Sequence, residues 1–170
     1  MGKTLIAFLM IVSPSSFAVA NSVFDKVTAD QPVCYGREYS STTLKSRSKQ
    51  TVQKIQAKFS HDPQYNQNIM TVEITLTEKK NFFKNYRSLL FCDKDDRCAV
   101  ECDGGSVNVS LQPDGRLLVK NNGFAIQGGC SGEEGDEGTI LQPTRGGDDQ
   151  FKLVRLPSAF CQKSPDYLRE

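Results

Sequence analysis

FCDKDDRCAVECDGG, residues 91–105, places three of the chain's six cysteines within eleven residues. Cys92 and Cys98 bracket a short charged turn, Asp93-Lys94-Asp95-Asp96-Arg97, and Cys98 and Cys102 bracket Ala99-Val100-Glu101. Asp103-Gly104-Gly105 then turns the chain again. The stretch reads as the tip and returning arm of a β-hairpin, stapled covalently to the rest of the molecule.

Outward from this hairpin the pattern is that of half-buried strands. Tyr86, Ser88, Leu90 and Cys92 alternate on the arm before the tip, and Met70, Val72, Ile74 and Leu76 alternate with Thr71, Glu73, Thr75 and Thr77 on the arm before that. An apolar period of two is the signature of a strand with one wet face. Downstream, SVNVSL (106–111) and RLLVK (116–120) flank Gln112-Pro113-Asp114-Gly115, in which proline presets the first turn angle and glycine accepts a positive one. Asn121-Asn122-Gly123 reads as the next turn, with 124–127 the strand after it. Residues 139–142 and 150–156 add two strands, and 33–39 (VCYGREY) supplies one near the start. Residues 51–59 are ambiguous: Ile55, Ala57 and Phe59 alternate as on a strand, whereas Leu44, Val52, Ile55 and Phe59 would also line a helix. The β-branched residues, with Pro63 just beyond, tilt the balance to strand. Residues 40–50 read as a polar loop with at most one helical turn, and 21–32 as an exposed lead-in. About eight short strands, spaced roughly ten residues apart, predict an all-β fold: a single antiparallel barrel or sandwich stapled by disulfides.

The ends set the compartment. Lys3, the apolar run LIAFLMIV (5–12), the breaker Ser13-Pro14-Ser15-Ser16 and the small residues Ala18-Val19-Ala20 form a secretory signal peptide spanning 1–20, too short to cross a bilayer. Residues 21–170 are then a single exported domain, and no later run predicts insertion into a membrane. No cysteine follows the cleavage site to carry a lipid. In an exported chain, six cysteines predict three disulfides. Fifteen pairings are combinatorially open; position favours Cys92–Cys98 across the tip, Cys102–Cys130 between strands and Cys34–Cys161 tying the ends. A zinc site at Cys92, Cys98, Cys102 and Cys130 lacks the usual paired spacing and a nearby histidine.

Charge excludes one class of partner. Beyond the leader, 20 basic residues face 20 acidic ones. Residues 21–60 hold seven basic against three acidic, and 93–149 hold five basic against twelve acidic. Nucleic-acid binding needs a basic excess that displaces counterions, so it is not expected here. His61 is the only histidine, and it lies in a turn-like stretch, Ser60-His61-Asp62-Pro63. No Gly-x-Ser-x-Gly, His-Glu-x-x-His or phosphate loop occurs. The acidic loop carrying Glu133, Glu134, Asp136 and Glu137 has oxygen ligands suited to calcium, yet its spacing is not that of an EF-hand. Asn108-Val109-Ser110 matches the N-glycosylation triplet, with Asn108 on the solvent side of its strand. The chain has no tryptophan, so a sugar platform lacks its best marker.

Three fragments taken together, Cys34-Tyr35-Gly36-Arg37 with Gln50-Thr51-Val52, then Cys98-x-Val100-Glu101-Cys102-Asp103-Gly104-Gly105, then Gly147-Asp148-Asp149-x-Phe151-x-Leu153, resemble a set of small exported bacterial proteins that carry no assigned function. The resemblance implies a bacterial, exported, β-rich domain and adds nothing about activity. The expectation is a periplasmic or secreted domain that binds a partner or belongs to the envelope, without catalysis or cofactor. Its candidate binding residues are Asp93, Asp95, Asp96 and Arg97 on the tip and Glu133, Glu134, Asp136 and Glu137 on the acidic loop, facing a protein partner. An inhibitor of a hydrolase is one concrete form. A barrel carrying a small ligand is the alternative, and a hydrolase using carboxylates alone ranks below it.

Overall fold

A computed structural model describes residues 22–28, 31–77, 83–127 and 139–161. The leader, the acidic loop with its four candidate residues, and Cys130 lie outside the described residues. Nine strands follow one another: β1 (Val33–Glu38), β2 (Val52–Asp62), β3 (Gln67–Thr77), β4 (Phe83–Cys92), β5 (Arg97–Ala99), β6 (Gly105–Leu111), β7 (Leu117–Gln127), β8 (Thr139–Leu141) and β9 (Gln150–Arg155). A 3-10 turn (Val23–Lys26) precedes them, α1 (Ser41–Ser46) lies between β1 and β2, and α2 (Ser158–Cys161) follows β9.

The strands are neighbours in the order β6-β5-β4-β3-β2-β1-β9-β7, every pair antiparallel, and β6 pairs back onto β7. Eight strands therefore close into a barrel, and β8 adds to the second half of β7. Closure removes the free edges that an open sheet would expose. Residues 51–59 resolve as strand: β2 pairs with β1 from Val33↔Phe59 to Glu38↔Lys54 and with β3 from Val52↔Leu76 to Asp62↔Gln67. Two flanking strands consume its backbone groups, which a helix would have satisfied internally.

The period-two residues point inward as expected. Met70, Val72 and Ile74 of β3, Leu90 of β4, Val107 and Val109 of β6, and Phe151 and Leu153 of β9 are all buried. An eight-stranded barrel is just wide enough either to be filled by its own side chains or to hold one small ligand. Here Tyr35, Phe59, Phe124, Phe151, Met70 and Leu117 are among the fully buried side chains that fill it. Phe59 meets Phe24 and Tyr35 edge-on, with centroids 5.4 and 6.2 Å apart, a favoured aromatic geometry.

Three local expectations are corrected. The lead-in is not wholly exposed: Val23 is fully buried and Phe24 packs on Phe59, so the 3-10 turn contributes to the core. Asn121-Asn122-Gly123 does not reverse the chain; β7 runs through it with a bend. The Asn121 side chain donates to the carbonyls of Leu141 (3.1 Å) and Asp148 (2.9 Å) and accepts from the Gly123 amide (2.8 Å). Gly123, at φ +89°, takes the bend. This lets Leu117–Lys120 pair with β9 and Phe124–Gln127 pair with β8. His61 belongs to the end of β2 opposite Asn68, not to a turn.

Cys34–Cys161 and Cys92–Cys98 are bridged, with sequence separations of 127 and 6. Cys102 is also disulfide-bonded. These bonds are consistent with export to an oxidising compartment. Among the described residues no helix is long and apolar enough to cross a membrane.

Candidate functional site

One end of the barrel gathers the features that can meet a partner. The β4–β5 tip is held by its own side chains. Asp93 Oδ1 accepts from the amides of Asp95 (2.9 Å) and Arg97 (3.0 Å), and the Asp93 amide donates to the Arg97 carbonyl (2.9 Å). Aspartate favours such turns because its short carboxylate reaches the backbone two residues on. Asp96, at φ +58°, turns inward, where Oδ1 accepts from the Ser22 hydroxyl at 2.5 Å. Its carbonyl accepts from the Val109 amide at 2.9 Å. Directly beneath, the Cys92–Cys98 bridge joins paired residues of the two strands.

Of the four expected tip residues, Asp93 and Asp96 are therefore engaged in building the loop, while Asp95 stands exposed with Lys94. Arg97 is exposed and reaches Ser106 Oγ through Nε at 3.4 Å. Burial pushes the Asp96 carboxyl above its usual range; the Ser22 hydroxyl opposes this, and the charges of Asp25, Asp93 and Asp95 reinforce it.

Beside the tip lies a groove that was not legible from the sequence. Its floor is Ile69 of β3, Leu89 and Phe91 of β4, Ala99 of β5 and Val100, walled by Tyr65 and Gln67. Ile69 pairs with Phe91 and Phe91 with Ala99, so these outward-facing residues form a stripe across three neighbouring strands. The groove has a volume of about 640 Å³, and among the described residues its charged lining is Asp62 and Glu101. Tyr65 is 72 % exposed at its edge.

Two other polar clusters are structural in their geometry. Asp148 is buried, and its carboxylate accepts from the Thr51 amide (2.8 Å), the Thr51 hydroxyl (2.6 Å) and the Val52 amide (3.2 Å). Two of the sequence fragments that carry the resemblance, around Thr51 and around Asp148, thus meet in space. His61 Nδ1 lies 2.9 Å from Asn68 Oδ1. Among the described residues no group of three or more His, Cys, Asp or Glu side chains is placed to hold a metal ion. Asn108 faces solvent, as its position predicts, and accepts from the Asn122 amide group at 2.7 Å.

Comparison with known protein families, with curated proteins and with solved structures finds no match to this chain.

Proposed function

We propose that this chain is an exported, non-enzymatic recognition domain that binds a partner protein through the end of the barrel carrying the β4–β5 tip, in the manner of a hydrolase inhibitor. The carrying observation is the pre-organised tip: its backbone is fixed by Asp93, anchored by Asp96 to Ser22, and closed by Cys92–Cys98. A loop already held in one conformation loses little entropy on binding, which is how rigid recognition loops gain affinity. The barrel interior argues in the same direction. Tyr35, Phe59, Phe124 and Phe151 occupy the space a carried ligand would need, so the surface is the better-supported binding element. Loops on a rigid β scaffold are a common place for recognition.

Native mass spectrometry of the protein purified from its own host without chelators tests this reading. A copurifying protein that is lost on Asp95→Lys is the expected result. A bound small molecule in place of a protein would replace it with the carrier reading.

A further inference from the structure

We propose that the groove beside the tip receives an aliphatic or aromatic anchor side chain carried on a lysine- or arginine-rich segment of the partner. The proposal rests on reading this end of the barrel as a recognition surface.

The outer face of an antiparallel sheet is ordinarily polar where it meets water. Here Ile69, Leu89, Phe91 and Ala99 lie on the outer face of three neighbouring strands, with Ile69 almost fully covered at the floor. Val100, which also packs against the core, borders them. Single exposed apolar residues are commonplace, whereas a concave site lined mainly by apolar side chains with a few polar groups is the usual form of a binding pocket. The volume of about 640 Å³ lies within the range of sites that take a ligand group rather than a solvent molecule. The wall residue Tyr65 belongs to the turn after β2, where Asp62 Oδ1 accepts from the amides of Gln64 (2.8 Å) and Tyr65 (3.3 Å). That bonding fixes the backbone from which the wall residue projects.

Charge selects the occupant. Both charged lining residues, Asp62 and Glu101, are acidic. The turns at 62–66, 93–97 and 101–103 together carry six acidic and two basic side chains. A phosphate-bearing lipid or nucleic acid, or an acidic peptide, would meet like charge. A basic segment would be steered in, and its apolar residue would supply the buried anchor.

The test uses the oxidised full mature chain, isotopically labelled, and three short synthetic peptides read by amide shifts. The first is lysine-rich with one central phenylalanine; the second has alanine in place of phenylalanine; the third has glutamate in place of lysine. Saturable shifts at Ile69, Leu89, Phe91 and Glu101 are expected with the first peptide. Affinity should fall by about fivefold with the alanine peptide, and similarly with Tyr65→Ala or Glu101→Lys. Both variants change exposed side chains, so their spectra should retain the folded dispersion. The glutamate peptide should not bind. Equal binding of the alanine peptide, shifts centred elsewhere, or no saturable binding at millimolar peptide would overturn the proposal. The two readings fail separately. Peptide binding in the groove without any copurifying protein removes the proposed function. A copurifying protein indifferent to both Tyr65→Ala and Glu101→Lys removes the groove.

Discussion

Asp148→Ala should be the most damaging single polar substitution in the described barrel. The Asp148 carboxylate is 2 % exposed and accepts three hydrogen bonds, two on Oδ2 from Thr51 and one on Oδ1 from the Val52 amide. Removing it strands two backbone donors at the start of β2, with no alternative acceptor supplied by alanine. At about 1.5 kcal/mol for each stranded amide and about 1 kcal/mol for the hydroxyl, the loss is about 4 kcal/mol. That is a large fraction of the roughly 5–15 kcal/mol that holds a domain folded. Gly147 bounds the latch from the other side, since a side chain there would strike the Lys49 carbonyl and force the backbone to move. Asp148→Asn keeps one oxygen for Thr51 and turns an amide donor on Val52, costing about 2 kcal/mol. Thr51→Ala forfeits the hydroxyl bond alone, costing about 1 kcal/mol. Urea unfolding of the oxidised protein, followed by circular dichroism, measures the series. With a slope of about 2 kcal/mol per molar, the alanine variant's midpoint should fall by about 2 M. Hydrogen exchange should show protection lost at Thr51 and Val52. An Asp148→Ala midpoint within about 0.5 M of the parent, which is about 1 kcal/mol on that slope, would refute the latch.

Two further outcomes follow from the structure. Asp96 has a folded pKa raised above its unfolded value, so the stability it contributes is complete below the unfolded pKa and is lost as pH rises through the folded one. Asp96→Asn, which still accepts from Ser22 and tolerates the positive φ, should therefore gain about 0.5 kcal/mol at neutral pH, a small figure because solvent screens the group. The gain should vanish in acid, and equal unfolding curves for the two proteins at all pH values would sink this account. The bridges should differ in worth: on the chain-entropy model, removing Cys34–Cys161 should cost about 5 kcal/mol and removing Cys92–Cys98 about 2 kcal/mol. Equal midpoints for the two double-alanine variants would show that native-state contacts, not loop length, set their value.

The long-range ties cluster where the strand ladder is weakest. β5 has three residues, and it spans only the last two pairs of β4. Beyond it the barrel wall is completed by other means: the Ser88 hydroxyl donates to the Ala125 carbonyl at 2.7 Å, and the Ala125 amide donates to the Gly104 carbonyl at 2.7 Å. Gly105, at φ +81°, lies so close to the Gly123 carbonyl that no side chain fits there. Asp103-Gly104-Gly105 is thus a close-packing device as well as a turn, which accounts physically for the glycines in the quoted motif.

What the sequence disclosed, and what it hid, divides along the range of the interaction involved. The inward alternation of Met70, Val72 and Ile74 and the turn at 112–115 depend on neighbours within a few positions, and both appear where expected. Asn121-Asn122-Gly123 has the same local chemistry as a reversing turn. Its fate was settled by carbonyls 20 and 27 positions away, at Leu141 and Asp148. Val23 and Phe24 read as scattered apolar residues in a polar stretch, and only the fold buries the first and sets the second edge-on against Phe59. The groove is the extreme case. Ile69, Phe91 and Ala99 occupy the positions that an alternating pattern assigns to solvent, and only the register Ile69↔Phe91↔Ala99 sets them side by side. A single outward apolar residue on a strand is noise, and three on adjacent rungs become a surface. Since register is fixed by the inward residues of the same strands, the packing that fills the barrel interior is also what assembles the groove outside it.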